Sequence, residues 1–223
     1  MSEAPAQVHL VMFDIDGTLV DSDEFDGALY AQAVQSVLGA DVDTTWSSYE
    51  NVTDSGILEE ILARKNHAAD DLRETRALVK RRFLDLTDRY LSRDPGVIRE
   101  IPGAKALVET LLAMPRVRVA VATGGWPETA MLKLRRIGLD PETFAVATSA
   151  DSVERTEIMR IAERRALGPA PASRRTYFGD GPWDKKASLE LGYDFVAVGR
   201  RVAHDLAFEN LGDLGAILEQ LGL

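Results

Sequence analysis

The stretch VMFDIDGTLVDS, residues 11–22, closes an apolar run, Val8–Phe13, with two carboxylates one residue apart, Asp14 and Asp16, followed by Gly17 and Thr18. Acids on a glycine turn recur as Gly179-Asp180-Gly181-Pro182-Trp183-Asp184. Another apolar run, Val117–Ala122, stops at Thr123-Gly124-Gly125. Two carboxylates about 4 Å apart repel by about 4 kcal/mol at an effective dielectric near 20. A cluster of them therefore implies a cation. An all-oxygen acidic set suits a hard ion such as Mg²⁺, which takes one or two carboxylates with waters and substrate phosphate oxygens. Glycine-rich turns after strands let backbone N–H groups approach an anion. Acids, a hard metal and N–H cradles together describe phosphoryl transfer, in which an aspartate attacks phosphorus and forms an aspartyl-phosphate.

These residues need a scaffold that carries them to one edge. Five short runs, apolar or β-branched and bounded by turn residues, read as buried strands: Val8–Phe13, Val117–Ala122, Phe144–Thr148, Thr176–Phe178 and Phe195–Val198. Helical segments alternate with them, at Gly103–Met114, Pro127–Ile137, Glu154–Leu167, Trp183–Leu191 and Gly212–Leu221. The alternation predicts an α/β fold, a doubly wound parallel sheet with helices on both faces. In such a sheet ligands bind outside the carboxyl ends of the strands. Asp14, Asp16, Thr123, Gly124, Asp180 and Asp184 all fall there.

About a hundred residues separate the first two strands, far more than a simple crossover needs. The excess reads as helical, with segments at Phe25–Leu38, Ser55–Arg64 and Asp70–Leu91. The last repeats Leu72, Val79, Phe83, Leu86 and Tyr90 at helical spacing until Asp94-Pro95-Gly96 breaks it. The expected division is a core of residues 1–23 and 100–223 and an inserted helical domain of residues 24–99.

Bulk properties exclude several classes. The 223 residues carry a net charge of −10, most of it between Asp21 and Glu100, and no basic stripe, so no nucleic-acid partner is expected. There is no cysteine, hence no disulfide framework. No apolar run approaches the roughly 20 residues of a membrane span. The opening MSEAPAQVHL lacks the features of a signal peptide, which gives the expectation of a cytoplasmic protein. Oligomeric state is not legible.

The motifs at Asp14–Asp21 and at Gly179–Asp184 make the chain resemble the haloacid dehalogenase superfamily, in particular its phosphatases of the phosphoglycolate phosphatase type, with a helical cap after the first strand. The resemblance covers nearly the whole chain. It implies Asp14 as nucleophile and Asp16 as general acid for the leaving oxygen, then base for water. It implies Mg²⁺ held by Asp14, the Asp16 backbone carbonyl and Asp180, with Asp184 as further acidic support. Thr123 and Gly124 would bind the phosphoryl group of a small phosphorylated metabolite such as phosphoglycolate or a sugar phosphate. Dehalogenases and phosphonate-cleaving members lack the second aspartate, so Asp16 points to phosphate esters. The usual lysine of the third motif is missing from SADSVERTEIMRIA, and Arg155 stands as its counterpart. Arginine keeps the charge but grips phosphate as a fork.

Other readings stay beside these. A sugar-phosphate mutase would use the same aspartates, and a non-catalytic binder would have no need of Asp16. In Asn51–Gly56, Ser and Asp read first as helix caps, although in capped family members a loop near here reaches the substrate, which marks Thr53 and Asp54. Arg73, Arg76 and Lys80 read as a solvated helix face. Trp126 and Trp183 read first as packing residues beside the two glycine turns, with lining of the site entrance as the alternative, and His9, His67 and His204 as structural or surface residues.

Overall fold

A computed structural model of the protein describes residues 8–65 and 72–223, with only the backbone given at residues 23 and 24. Residues 1–7, His67 and the first two residues of the expected Asp70–Leu91 helix lie outside the described residues.

The chain enters on β1 (His9–Phe13), every residue of which is buried. A two-residue strand, β2 (Val20–Asp21), then leads to α1 (Asp23–Leu38), α2 (Asp54–Arg64) and α3 (Leu72–Arg93). The chain returns on β3 (Arg99–Glu100), antiparallel to β2, with Val20 opposite Glu100 and Asp21 opposite Arg99. The helical insert is thus tied off at its neck by a small ribbon, sealed by an Arg99–Asp21 ion pair at 2.8 Å. Then follow α4 (Ala104–Leu112), β4 (Val117–Ala122), α5 (Pro127–Arg136), β5 (Ala145–Ala147), α6 (Arg155–Leu167), β6 (Arg174–Gly179), α7 (Pro182–Leu191), β7 (Asp194–Val198), β8 (Ala207–Phe208) and α8 (Leu214–Leu221).

The six strands of the main sheet run in the order β5-β4-β1-β6-β7-β8, and every pairing is parallel. Side chains alternate across a strand, so β1 feeds both faces. Val11 and Phe13 join one core with Leu107 of α4, Leu134 of α5 and Ile217 of α8. Leu10 and Met12 join the other with Met159 of α6 and Ala187 of α7. This is the predicted doubly wound sheet with an inserted helical region. Parallel strands covered on both faces read as continuous apolar runs, which is why β1 and β4 are plain in the sequence. The ribbon and β8 are two residues each and carry no such run.

Within the insert, Tyr30 of α1 meets Phe83 of α3 edge-on at 6.0 Å, and Phe25 stacks on Tyr90 at 5.2 Å. That contact holds Tyr90 although it is 38% exposed. Among the described residues no helix is long and apolar enough to cross a membrane.

Candidate active site

The carboxyl end of β1 is extended by one bond, the Asp14 N–H donating to the Phe178 carbonyl at 2.9 Å. The chain then turns, with Gly17 N–H bonding Val20 O at 2.8 Å and Leu19 N–H bonding Ile15 O at 2.8 Å. Gly17 has φ 72°, and a Cβ there would strike the carboxylate of Asp180. Glycine is required twice over, by the backbone and by the close approach of the β6 turn.

That approach gathers three acids. One carboxylate oxygen each from Asp14, Asp180 and Asp184 lie within 4.8 Å of one another, all in buried residues. Asp184 is fully buried in the first turn of α7, where it accepts from Gly181 N–H at 3.0 Å and from the Tyr177 hydroxyl at 3.4 Å. Arg155, the first residue of α6, reaches Asp14 Oδ1 with NH1 at 3.3 Å and Asp184 Oδ1 with Nε at 3.5 Å. Arg201, beyond β7, holds Asp180 Oδ2 at 2.6 Å. Burial pushes Asp14 up to about 7, against the pull of Arg155 and with a push from Asp184 and Asp16. Burial likewise raises Asp184. Three buried carboxylates facing two guanidiniums, with two of the acids raised, form a site short of positive charge. An all-oxygen set of this kind fits a hard divalent cation.

Asp16 lies outside that cluster. Lys133 of α5 donates to Asp16 Oδ1 at 2.6 Å and to Asp26 Oδ2, on α1, at 2.9 Å, and Ser22 donates to the same Oδ1. Lys133 is 1% exposed. Burial alone would lower its ammonium, but Asp16 and Asp26 outweigh burial and hold it well above its ordinary range. The sequence reading missed Lys133, Asp26, Ser22 and Arg201. A signal for Lys133 existed: it sits in the buried stripe Ala130, Lys133, Leu134 of α5, where a charge needs a partner.

Thr123 and Gly124 follow β4. Thr123 is buried, its N–H bonds Ala147 O at 3.1 Å, and its Oγ1 accepts from Gly125 N–H at 3.2 Å. A Cβ on Gly124 would sit 3.1 Å from Arg155 NH2 and 3.0 Å from Val52 O, so this turn passes between the arginine and the insert.

Asp14, Asp16, Thr123, Gly124, Arg155 and Asp180 line one cavity of about 170 Å³ together with Arg201 and Trp183. Its other wall comes from the insert: Asp26, Tyr30, Trp46, Thr53, Asp54 and Ile57 among them. Of the expected site residues, only Asp184 lies behind the wall rather than in it.

Thr53 and Asp54 serve first as structure. Thr53 Oγ1 caps α2 by accepting from Gly56 N–H at 3.0 Å, and it donates to Val153 O at 2.9 Å. The cap is therefore Thr53, rather than the Ser or Asp of the sequence reading. Asp54 N–H bonds Gly124 O at 2.8 Å, and its Oδ2 accepts from Trp126 N–H at 2.8 Å. Ser55 accepts from Trp126 Nε1 at 3.0 Å and donates to Ser149 at 3.2 Å. The start of α2 is thus bonded to the loops after β4 and β5. Burial pushes Asp54 up to about 8, helped by Asp26 and opposed by Lys133. Trp126 packs behind the cavity against Tyr30 and Phe83, at 5.6 and 5.5 Å.

Of the expected solvated face, Arg76 pairs with Glu59 and Lys80 crosses to Glu128 of α5 at 2.7 Å. His9 bonds Thr176 and His204 bonds Phe195 O, each at 2.9 Å.

Residues 8–192 match the model of the haloacid dehalogenase-like hydrolases. No curated protein matches the sequence at a significant level. Solved structures resemble it along its length. CbbY from Rhodobacter sphaeroides, in complex with phosphate, is 19% identical with a TM-score of 0.69, over 94% of this chain and 97% of that one. The β-phosphoglucomutase of Clostridium difficile is 16% identical with a TM-score of 0.73, over 97% and 98%. A predicted phosphoglycolate phosphatase from Haemophilus somnus is 20% identical with a TM-score of 0.63, over 96% and 99%. At these identities the likeness carries the fold.

Proposed function

The chain belongs to the haloacid dehalogenase-like hydrolases, and on that footing we propose that it is a Mg²⁺-dependent phosphatase of small phosphorylated metabolites, working through an aspartyl-phosphate. Asp14 attacks phosphorus. Asp16 gives a proton to the leaving oxygen and then takes one from the water that cleaves the aspartyl-phosphate. Thr123, the Gly124 turn and Arg155 hold the phosphoryl oxygens. Asp14, Asp180, the Asp16 backbone carbonyl and, behind them, Asp184 would hold Mg²⁺, which when bound supplies charge neutralisation at the phosphoryl group. Residues 24–99 act as a cap that excludes bulk water and contacts the leaving group. A reducing cytoplasm suits a chain without cysteine.

One observation carries this reading. Asp14 and Asp16 open on a single cavity in opposite settings, one in a cluster short of positive charge and one pinned by a lysine. The far wall also favours a phosphatase over a mutase. A mutase of this chemistry returns the phosphoryl group to a sugar that already carries a phosphate, so it needs a second phosphate site. The insert's share of the lining has two carboxylates, Asp26 and Asp54, and no lysine, arginine or histidine among the described residues. Among the described residues the same wall offers no cation for the carboxylate of phosphoglycolate and suits the monophosphate of an uncharged alcohol, a sugar phosphate among them.

The test is phosphate release, with and without Mg²⁺, across phosphoglycolate, sugar monophosphates and sugar bisphosphates. Mg²⁺-dependent release, best from a monophosphate, is expected. Isomer formation without release would replace the reading with the mutase.

A further inference from the structure

We propose that Lys133 is a positioning residue for proton transfer: it fixes the Asp16 carboxylate so that Oδ1 is held inside the protein and Oδ2 alone faces the reacting ester. This rests on the phosphatase reading above.

The two oxygens of Asp16 stand in different places. Oδ1 accepts from Lys133 Nζ at 2.6 Å and from the Ser22 hydroxyl. Oδ2 points to the β4 turn, since a Cβ placed on Gly125 would lie 3.9 Å from it. The Gly125 turn is the far side of the same loop that carries Thr123 and Gly124, and all three line the cavity. With two donors on Oδ1, a carboxyl proton belongs on Oδ2, the oxygen that faces the leaving group. Lys133 cannot reorient easily, being 1% exposed and in the buried stripe of α5.

Its second bond, to Asp26 Oδ2 at 2.9 Å, lands on α1 of the insert. One ammonium therefore ties the proton-transferring aspartate of the core to the first helix of the cap. Lys133 has both of its carboxylate partners only while α1 is seated against α5. The arrangement couples cap position to the orientation of Oδ2.

Leaving-group chemistry isolates this role. An alkyl phosphate needs a proton on its departing oxygen, and such general acid catalysis contributes about 10²- to 10⁴-fold. An aryl ester such as 4-nitrophenyl phosphate departs without one. Lys133→Met, and the double variant Lys133→Met with Asp26→Asn that neutralises the carboxylate left behind, are compared with the unaltered chain on both esters. We expect kcat/KM for an alkyl phosphate to fall about 100-fold, and for 4-nitrophenyl phosphate by less than about threefold. A burst of nitrophenolate should precede slower turnover, because Asp16 must still act as base on the aspartyl-phosphate. A merely structural role would lower both kcat/KM values together, and that result would overturn the proposal. Crystal structures of the two variants give a readout that needs no turnover. Asp16 Oδ2 should leave its place beside Gly125, and an unmoved Asp16 would count equally against the proposal. If the unaltered chain cleaved neither ester, the phosphatase reading itself would fail, and the crystallographic comparison would still decide what Lys133 does to Asp16.

Discussion

Asp14 and Asp16 are one residue apart in sequence and occupy two different electrostatic regions. Around Asp14 the acids outnumber the cations, with Asp180 and Asp184 close by and Arg155 3.3 Å away. Asp16 is instead held directly by a buried ammonium, Lys133 at 2.6 Å, which it shares with Asp26 of the insert. The first region is built by the core alone, from the turns after β1 and β6 and the starts of α6 and α7. The second is shared with the insert, through Asp26 and, one wall further, Asp54. On the proposed roles, the difference teaches how one loop could run two chemistries. A nucleophile benefits from a removable cation that also binds the phosphate, whereas a proton carrier needs a fixed partner that sets its orientation.

The sharpest way to break this comparison is at Arg155. Arg155→Met leaves Asp14 and Asp184 facing each other without their shared guanidinium. Losing one partner of a buried ion pair costs about 3 to 5 kcal/mol. We expect that loss in chemical denaturation, with phosphate release abolished. Arg155→Lys should restore most of the stability while release stays well below that of the unaltered chain, because an ammonium cannot span Asp14 and Asp184 as a fork does. Equal activity for arginine and lysine would remove the argument for the fork.

The second test uses pH. Asp14 is raised to about 7 and Asp54 to about 8, against 3.8 for each in an unfolded chain. Each holds a proton when folded at pH values where the unfolded chain has released it. Their contribution to stability is therefore full below about pH 4 and is lost as pH rises towards 7 and 8. On the proposed assignment a divalent cation would bind the folded chain at Asp14 in competition with that proton. Thermal melts should show Mg²⁺ raising Tm clearly at pH 8 and little at pH 5. Asp54→Asn should flatten the remaining decline and leave the Mg²⁺ response intact. A Mg²⁺ shift equal at both pH values would mean that the cation does not sit at Asp14.

The smallest effect probes the joint between the regions. Trp126→Phe removes the Nε1 hydrogen bond to Ser55 and keeps the packing against Tyr30 and Phe83. The expected cost is about 1 kcal/mol of stability, with kcat/KM changed to a similar extent for alkyl and aryl phosphates. A selective loss on alkyl phosphates would show that the α2 joint, as well as Lys133, governs Asp16.

The two regions also differ in how far they could be read from sequence. The turns after β1, β4 and β6 announce themselves, because a buried parallel strand is a run of apolar residues and its end is abrupt. Their neighbourhood at one sheet edge then follows from the fold class. Arg155 was visible through the absence of a lysine in its stretch. Lys133 was hidden because its partners, Asp16 and Asp26, are more than a hundred residues away, and only its place in the apolar stripe of α5 gave it away. The β2–β3 ribbon and β8 were missed because two residues hold no period. The sheet order was beyond a pattern reading, since parallel strands separated by helices do not reveal their neighbours. Thr53 as the cap of α2 was missed by one residue, the ordinary uncertainty of helix ends.

The division of labour between the two aspartates is tested most directly by locating the phosphoryl group. Asp16→Asn is mixed with Mg²⁺ and 4-nitrophenyl phosphate, quenched in acid within its first turnover, digested and analysed by mass spectrometry. Leaving an aryl ester needs no acid, and breaking the aspartyl-phosphate does need the base, so the phosphoryl group should accumulate on Asp14 and be absent when Asp14→Asn is added to the same chain. A phosphoryl group on any other residue, or ready turnover with none trapped, would contradict the assignment of Asp14 as nucleophile and Asp16 as proton carrier.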